Sequence, residues 1–231
     1  MILGTDFHSH ILPNADHGCV SPDEAKEQLR MLKNAGIDTA VATPHFYPAE
    51  HDFSVFSEQV LAACHQILDI PHTERPQIIT GAEVLVCTGL HRHPNLDDLC
   101  IGGTRILLLE LPLTGCNDEI LQTIEDLMQK GYTVVLAHID RYVKAFGEQI
   151  DLLLSMGALA QINAIALKSF FGRRRLRPYL ESNCVVGFGT DLHALDARAV
   201  AAYESLRALP NDVFAAVMQR TNDLLSDATK W

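Results

Sequence analysis

Two kinds of apolar pattern alternate along the chain. Short, nearly continuous apolar runs predict strands at 2–8, 37–43, 77–84, 105–111, 133–138, 159–163 and 185–191. Between and after them, apolar positions recur at helical spacing and predict amphipathic helices at 22–35, 53–68, 118–130, 148–156, 170–182, 197–208 and 211–226. Ser21-Pro22-Asp23-Glu24 is a helix start, with a capping hydroxyl, a proline preset for the first turn and acids that favour the positive end of the helix dipole. Lys130-Gly131 and Met156-Gly157 read as helix ends closed by glycine. Strand–helix alternation of this kind predicts an α/β fold with a largely parallel sheet, either a barrel or a doubly wound layer. No linker, low-complexity segment or internal repeat divides the chain, so one domain over 1–231 is expected.

The strand ends decide between the two architectures. In order they carry His8 and His10, Thr43-Pro44-His45, Gly81-Ala82-Glu83, Glu110, Ala137-His138, and Asp191-Leu192-His193, and the first loop adds Asp16-His17-Gly18. Alternate side chains of a strand share a face, so His8 and His10 present two imidazoles together. A closed barrel gathers every strand C-terminus at one mouth, whereas an open sheet spreads them along an edge. A barrel is the better reading.

Composition narrows the chemistry. With 48% apolar and 20% charged residues, the chain of 231 residues suits a globular protein with a substantial core. The formal net charge of −11 argues against sequence-independent binding to nucleic acid or to an anionic membrane. An anionic substrate would need local positive charge, from cations or placed arginines. No apolar stretch approaches the roughly 20 residues of a membrane span, and the N-terminus lacks the pattern of a secretion signal, so a cytoplasmic protein is expected. The six cysteines form no C-x-x-C pair, and none is followed six positions later by arginine. Zinc-finger, dithiol and cysteine-phosphatase chemistry are therefore not indicated, and reduced, partly buried thiols are expected.

Each candidate ligand also has a plain reading. A histidine at a strand end is commonly a hydrogen-bonded structural residue, and a glutamate within a strand commonly faces water. Glu110, however, lies in Leu107-Leu108-Leu109-Glu110-Leu111, a run that looks buried on both faces, where an uncompensated carboxylate is costly. Taken jointly, imidazoles and carboxylates without thiolate suit Mn, Fe or Zn, and about nine of them exceed what one ion needs. Two or three ions are implied, able together to clamp a phosphoryl group and activate water. His51, His65, His72, His91 and His93 lack the strand-end pattern and are read as surface residues. Gly172-Arg173-Arg174-Arg175 is the densest basic run. It is read first as a solvated helix face, although it could also attract acidic tails.

These residues, together with Ala137-His138-Ile139-Asp140-Arg141-Tyr142 and Gln161-Ile162-Asn163, resemble the polymerase and histidinol phosphatase superfamily, and within it the bacterial capsule-type CpsB/CapC branch of manganese-dependent protein-tyrosine phosphatases. The resemblance implies a distorted (β/α)7 barrel of the TIM-like kind, with three ions at its mouth. It places one ion on His8, His10, Glu83 and Asp191. A second falls to Glu83, Glu110 and His138, with Glu83 bridging, and a third to His45, His193 and a first-loop residue. Aligned on Gly18, that residue is His17, where the family usually has aspartate; Asp16 is the alternative. Arg141 and Arg198 match positions that grip the substrate phosphate, though read alone they are an ordinary post-strand cation and a helix-surface cation. Mn is the expected metal, with Fe, Zn, Co or Mg as alternatives.

The implied reaction is hydrolysis of a phosphomonoester by a metal-activated water, without a covalent enzyme intermediate. The expected substrate is phosphotyrosine in a partner protein, a bacterial tyrosine kinase that regulates capsule or exopolysaccharide synthesis. A small phosphomonoester such as histidinol phosphate is the alternative, and a non-catalytic metal-binding module is a third reading.

Overall fold

The computed structural model describes residues 4–206 and 209–230. The first residues of the predicted strand at 2–8 and the last two of the predicted helix at 197–208 lie outside them. The strands are β1 (Gly4–Ser9), β2 (Ile37–Ala42), β3 (His45–Phe46), β4 (Gln77–Thr80), β5 (Glu83–Leu85), β6 (Ile106–Glu110), β7 (Thr133–Leu136), β8 (Leu159–Asn163) and β9 (Val185–Gly189). The helices are α1 (Pro22–Asn34), α2 (Phe53–Leu68), a single turn α3 (Leu96–Leu99), α4 (Asp118–Gln129), α5 (Gly147–Ser155), α6 (Phe170–Glu181), α7 (Ala197–Ser205) and α8 (Asn211–Leu224). Ser21 caps α1 as expected, its hydroxyl accepting from the amide of Glu24, with Pro22 in the first turn.

Every strand pairing is parallel, in the orders β1-β2-β4 and β3-β5-β6-β7-β8-β9. The two sheets are one surface. Pro44 has no amide hydrogen to donate to a ladder, so β2 breaks before β3. Opposite it, β4 breaks at Gly81-Ala82 before β5. Backbone bonds from Gly81 to Ala42 (3.0 Å) and from Glu83 to Pro44 (3.0 Å) carry the pairing across the break. The two predicted runs at 37–43 and 77–84 are thus kinked strands that extend past their predicted ends.

At the other side, the amide of Asp191 donates to the His8 carbonyl (2.8 Å) and that of His10 to the Leu192 carbonyl (3.0 Å), joining β9 to β1 and closing a seven-stranded barrel. Glycine makes this seam possible. A Cβ on Gly187 would lie 2.5 Å from the ring of Phe7, and one on Gly189 would lie 2.8 Å from the Cβ of His8. Buried Tyr203 of α7 ties the seam from behind: its hydroxyl donates to the Phe188 carbonyl (2.6 Å) and lies 3.0 Å from that of Thr5 and 3.3 Å from Asp6 Oδ1.

Strand β6 shows how the layers separate. Leu107 and Leu109 join the core between barrel and helices, whereas Ile106 and Leu108 join a second cluster with Phe7, Val41, Ile79 and Val135 inside the barrel. Glu110 shares the parity of the inward residues and so arrives at the mouth. No helix among the described residues is long and apolar enough to cross a membrane. Replacing Tyr203 with phenylalanine removes one buried donor and strands its acceptors. It is expected to lower unfolding free energy by about 1–3 kcal/mol, read as a shift in urea midpoint at unchanged slope.

Candidate metal centre

The barrel gathers the predicted strand-end residues into one buried cluster. Glu83 is at its centre. Its Oε1 lies 2.6 Å from His138 Nε2, and its Oε2 lies 3.0, 3.3 and 3.6 Å from His45 Nδ1, His10 Nε2 and His8 Nε2. Asp191 Oδ1 is 3.4 Å from His8 Nε2 and 3.5 Å from His10 Nε2. Glu110 approaches His45 at 3.8 Å, and the Nε2 atoms of His45 and His193 are 3.4 Å apart.

Four triads of ligand-type atoms each fall within 4.8 Å: His8–His10–Asp191, His8–Glu83–His138, His45–Glu83–Glu110 and His10–His45–His193. These groupings overlap the sets implied by resemblance without coinciding with them. His10 stands beside both Asp191 and the His45–His193 pair, and His45 stands beside both Glu83 and His193.

The inner histidines are aimed by neighbours. His8 Nδ1 meets the Thr43 hydroxyl at 2.6 Å, and His10 Nδ1 meets Asp16 Oδ2 at 2.6 Å, so each turns its Nε2 inward. Asp16 also accepts from the amides of His45 (2.9 Å) and Gly18 (2.8 Å). Its carboxylate is therefore engaged with these partners. His17 is exposed, and its ring stacks on that of His45 at 4.7 Å and 11° and lies 5.1 Å from that of His193; among the described residues it belongs to none of the four triads.

A second set of bonds ties the other strands. The His138 amide donates to Gln161 Oε1 (2.6 Å), Gln161 Nε2 donates to Asn163 Oδ1 (3.0 Å), and Asn163 Nδ2 donates to Asp191 Oδ2 (2.9 Å). His138 and Asp191 adopt left-handed backbone with φ of 32° and 54°. Such strain in non-glycine residues persists where surrounding structure enforces it, as at functional sites.

Arg141 reaches the cluster from the rim, pairing with Asp191 and placing a guanidinium nitrogen 3.4 Å from His138 Nε2. Arg198 does not. Its side chain is 84% exposed and pairs with Asp196, the capping residue of its own helix. Three of the histidines read as surface residues are in fact partly buried: His51 against Phe46 and Tyr47, His93 against Phe46 and Phe53, and His91 beside Asp126. Arg174 and Arg175 lie exposed on α6, whereas Arg173 donates to the carbonyls of Leu167 and Lys168.

The electrostatics show what the cluster lacks. Burial works against the Glu83 carboxylate, but the surrounding imidazoles outweigh it and hold its pKa well below the usual range. For His10, burial disfavours the charged ring, yet the hydrogen-bonded Asp16 and the adjacent Asp191 and Glu83 carboxylates raise its pKa well above normal. His8 goes the other way, lowered by burial, and His193 falls to about 4 through burial and the adjacent His10 charge. Glu110 is raised by burial and by Glu83. Glu83 and His10 thus compensate each other, whereas His8, His193 and Glu110 shift away from their charged forms, which marks where compensation falls short.

Among the buried side-chain atoms left without a hydrogen bond are His8 Nε2, His10 Nε2, His45 Nδ1, Glu83 Oε2, His138 Nδ1 and Asp191 Oδ1. Each such atom ordinarily costs about 1–3 kcal/mol. Imidazole nitrogens and carboxylate oxygens converging on one buried space are the chemistry that divalent cations take, so the residues present fit a metal centre.

Gln161 and Asn163 enter the sequence reading only as part of a family-like motif with no role attached, and the fold sets them beside His138 and Asp191. Asp6 lies two residues before His8 on the same strand parity, a signal that could have flagged it. It accepts from the Thr190 amide (2.8 Å) and hydroxyl (2.6 Å), and burial pushes its pKa up to about 7.

Comparison with known proteins adds the lineage. Residues 4–221 match the family described as capsular polysaccharide synthesis, CpsB/CapC. The chain is 27% identical over 206 residues to the tyrosine-protein phosphatase CpsB of Streptococcus pneumoniae, covering 84% of each chain. It is 26% identical over 223 residues to the tyrosine-protein phosphatase YwqE of Bacillus subtilis, covering 90% of this chain and 84% of that one. Among solved structures, one from work on the metal-dependent tyrosine phosphatases YwqE of B. subtilis and CpsB of S. pneumoniae superposes with a TM-score of 0.79 at 22% identity, covering 97% of this chain and 95% of that one. The phosphotriesterase homology protein of Escherichia coli, solved with phosphate in its active site, shares the fold more loosely, with a TM-score of 0.54 at 13% identity over 95% of this chain and 97% of that one.

Proposed function

The chain belongs to the CpsB/CapC family, and from that premise we propose that it is a metal-dependent phosphatase hydrolysing phosphotyrosine in proteins. The observation that carries this reading is the convergence of unpartnered buried His, Glu and Asp atoms at the barrel mouth, with Arg141 at the rim. The relatives named as tyrosine-protein phosphatases support the substrate class.

In this reading His8, His10, His45, Glu83, Glu110, His138, Asp191 and His193 hold two or three divalent ions, with Mn as the first candidate and Fe, Zn, Co or Mg as alternatives. Between the first-loop alternatives, His17 is the residue with a side chain to offer beside His45 and His193, because the Asp16 carboxylate is engaged by His10 and two amides. Bound divalent ions would polarise the phosphoryl oxygens and make a water nucleophilic near neutral pH.

The protein's own groups do the rest. Arg141 pairs with Asp191 on its inner side and is 43% exposed on its outer side, where its remaining N–H groups can grip a phosphate. Arg198 would join it after rotating away from Asp196. Asp16 and Thr43 keep His10 and His8 in the orientation that points Nε2 into the cluster. A phenolate leaving group needs little protonation. The physiological substrate we assign is the tyrosine-phosphorylated tail of a bacterial kinase controlling capsule or exopolysaccharide synthesis. All six cysteines are free thiols, which suits the cytoplasm.

The test is hydrolysis of a phosphotyrosine peptide, p-nitrophenyl phosphate and histidinol phosphate by Mn-loaded protein. Preference for the peptide is expected, and preference for histidinol phosphate would overturn the protein substrate. Asp16→Asn should weaken metal affinity by roughly 10–100-fold, because His10 loses its anionic partner. Competition with a chelator measures this, and excess metal should restore most of the activity.

A further inference from the structure

A cavity of about 500 Å³ opens beside the His45 side of the cluster. It shares Asp16, His17 and His45 with the site and extends outward between Tyr47 and the first turn of α2, where Val55 lies half exposed. The end shared with the site carries His17 and His45 beside Asp16, whose carboxylate is engaged by His10 and two amides, and the rest of the lining adds Glu50 and Asp52.

Tyr47 is built into the wall. Its amide donates to His51 Nδ1 (3.1 Å), and its carbonyl accepts from the amides of Glu50 and His51 (2.9 Å each). Its ring lies 5.3 Å from that of His45 and 5.1 Å from that of His51, and His45 stacks in turn on His17. A column of four aromatic rings thus runs from the cluster to the cavity's outer part. Val55 and Phe56 supply apolar surface from α2.

We propose that this cavity is the leaving-group subsite, seating the aryl ring of the phosphomonoester between Tyr47 and Val55 while the phosphate faces the His45 end. This rests on the phosphatase reading above and adds the residues that would select an aryl ester. The space is ample: roughly 150 Å³ suffices for a benzene ring, and the remainder can take peptide backbone. Edge contact with Tyr47, whose ring lies between His45 and His51, together with apolar contact with Val55 rewards an aromatic group that a serine or threonine ester lacks. The Glu50 and Asp52 carboxylates of the lining oppose a phosphate beside them, which sets the direction of binding.

The experiment compares Tyr47→Ala, Tyr47→Phe and Val55→Asp with wild type in the Mn-loaded protein. It measures kcat and KM for p-nitrophenyl phosphate and a phosphotyrosine peptide, and the inhibition constant of inorganic phosphate, which contains no ring. Tyr47→Ala and Val55→Asp are expected to raise KM for both aryl esters by about tenfold, Tyr47→Phe to stay near wild type, and the phosphate constant to move less than about twofold. Unchanged KM in Tyr47→Ala, or a phosphate constant that rises in step with KM, overturns the subsite. A wild type that turns over p-nitrophenyl phosphate but not the peptide overturns the protein substrate instead, and leaves the ring-binding comparison decisive.

Discussion

Replacing Glu83 with glutamine should lower kcat by at least about a thousandfold and reduce the metal retained after purification. Among the described residues no other carboxylate approaches as many of the cluster's imidazoles, since its two oxygens lie beside His8, His10, His45 and His138. The amide keeps the volume but loses the charge and turns one acceptor into a donor facing imidazoles. Metal content by emission spectroscopy, alongside initial rates across a metal titration, separates loss of binding from loss of catalysis. Full activity in this variant would refute the metal assignment.

The same change should alter acid stability in the metal-free protein. The Glu83 pKa is depressed in the folded state, so its ionic bonds stabilise the fold above the ordinary carboxylate range and are lost as pH falls through it. Wild type should therefore lose more stability than Glu83→Gln on acidification below about pH 4.5, read by chemical denaturation at several pH values.

The second large effect belongs to the arginines. Arg141→Ala is expected to cost roughly 100–1,000-fold in kcat/KM, the range seen when one preorganised donor to a developing anion is removed. Arg198→Ala should cost under about tenfold, since its guanidinium stands in solvent beside Asp196 and must give up that pairing to reach a phosphate. Arg141→Lys should recover little, because a point charge does not replace a planar fork. Equal losses in the two alanine variants would show that Arg198 swings from the start of α7 onto the substrate.

A stretch such as Leu107–Leu111 announces a buried strand through its continuous apolar run, and the carboxylate of Glu110 within it announces a compensating partner. The histidines at other strand ends say the same. The architecture follows because a parallel barrel places such ends together, so periodicity and residue type sufficed for the mouth and most of its occupants. The helix caps were equally local: Ser21 bonds an amide three residues away.

Asp16 illustrates the opposite case. It neighbours His17 in the chain and looked like an alternative ligand, but the loop turns it back onto His10 and the amide of His45, 29 residues later. Tyr203 and Asp6, 197 residues apart, meet only because β9 closes on β1. Tyr47 becomes a cavity wall through bonds to His51, a residue that sequence pattern alone assigned to the surface.

The sequence by itself determined where the strands lie along the chain, the parallel sheet, the family and the chemical type of the residues at the mouth, because these depend on local periodicity and on side-chain identity. Only the tertiary structure decided which of those residues face one another, which carboxylate positions a histidine and which arginine reaches the cluster. Those outcomes depend on loop conformation, backbone strain and contacts between distant segments, and a pattern along the chain does not contain the distances across it.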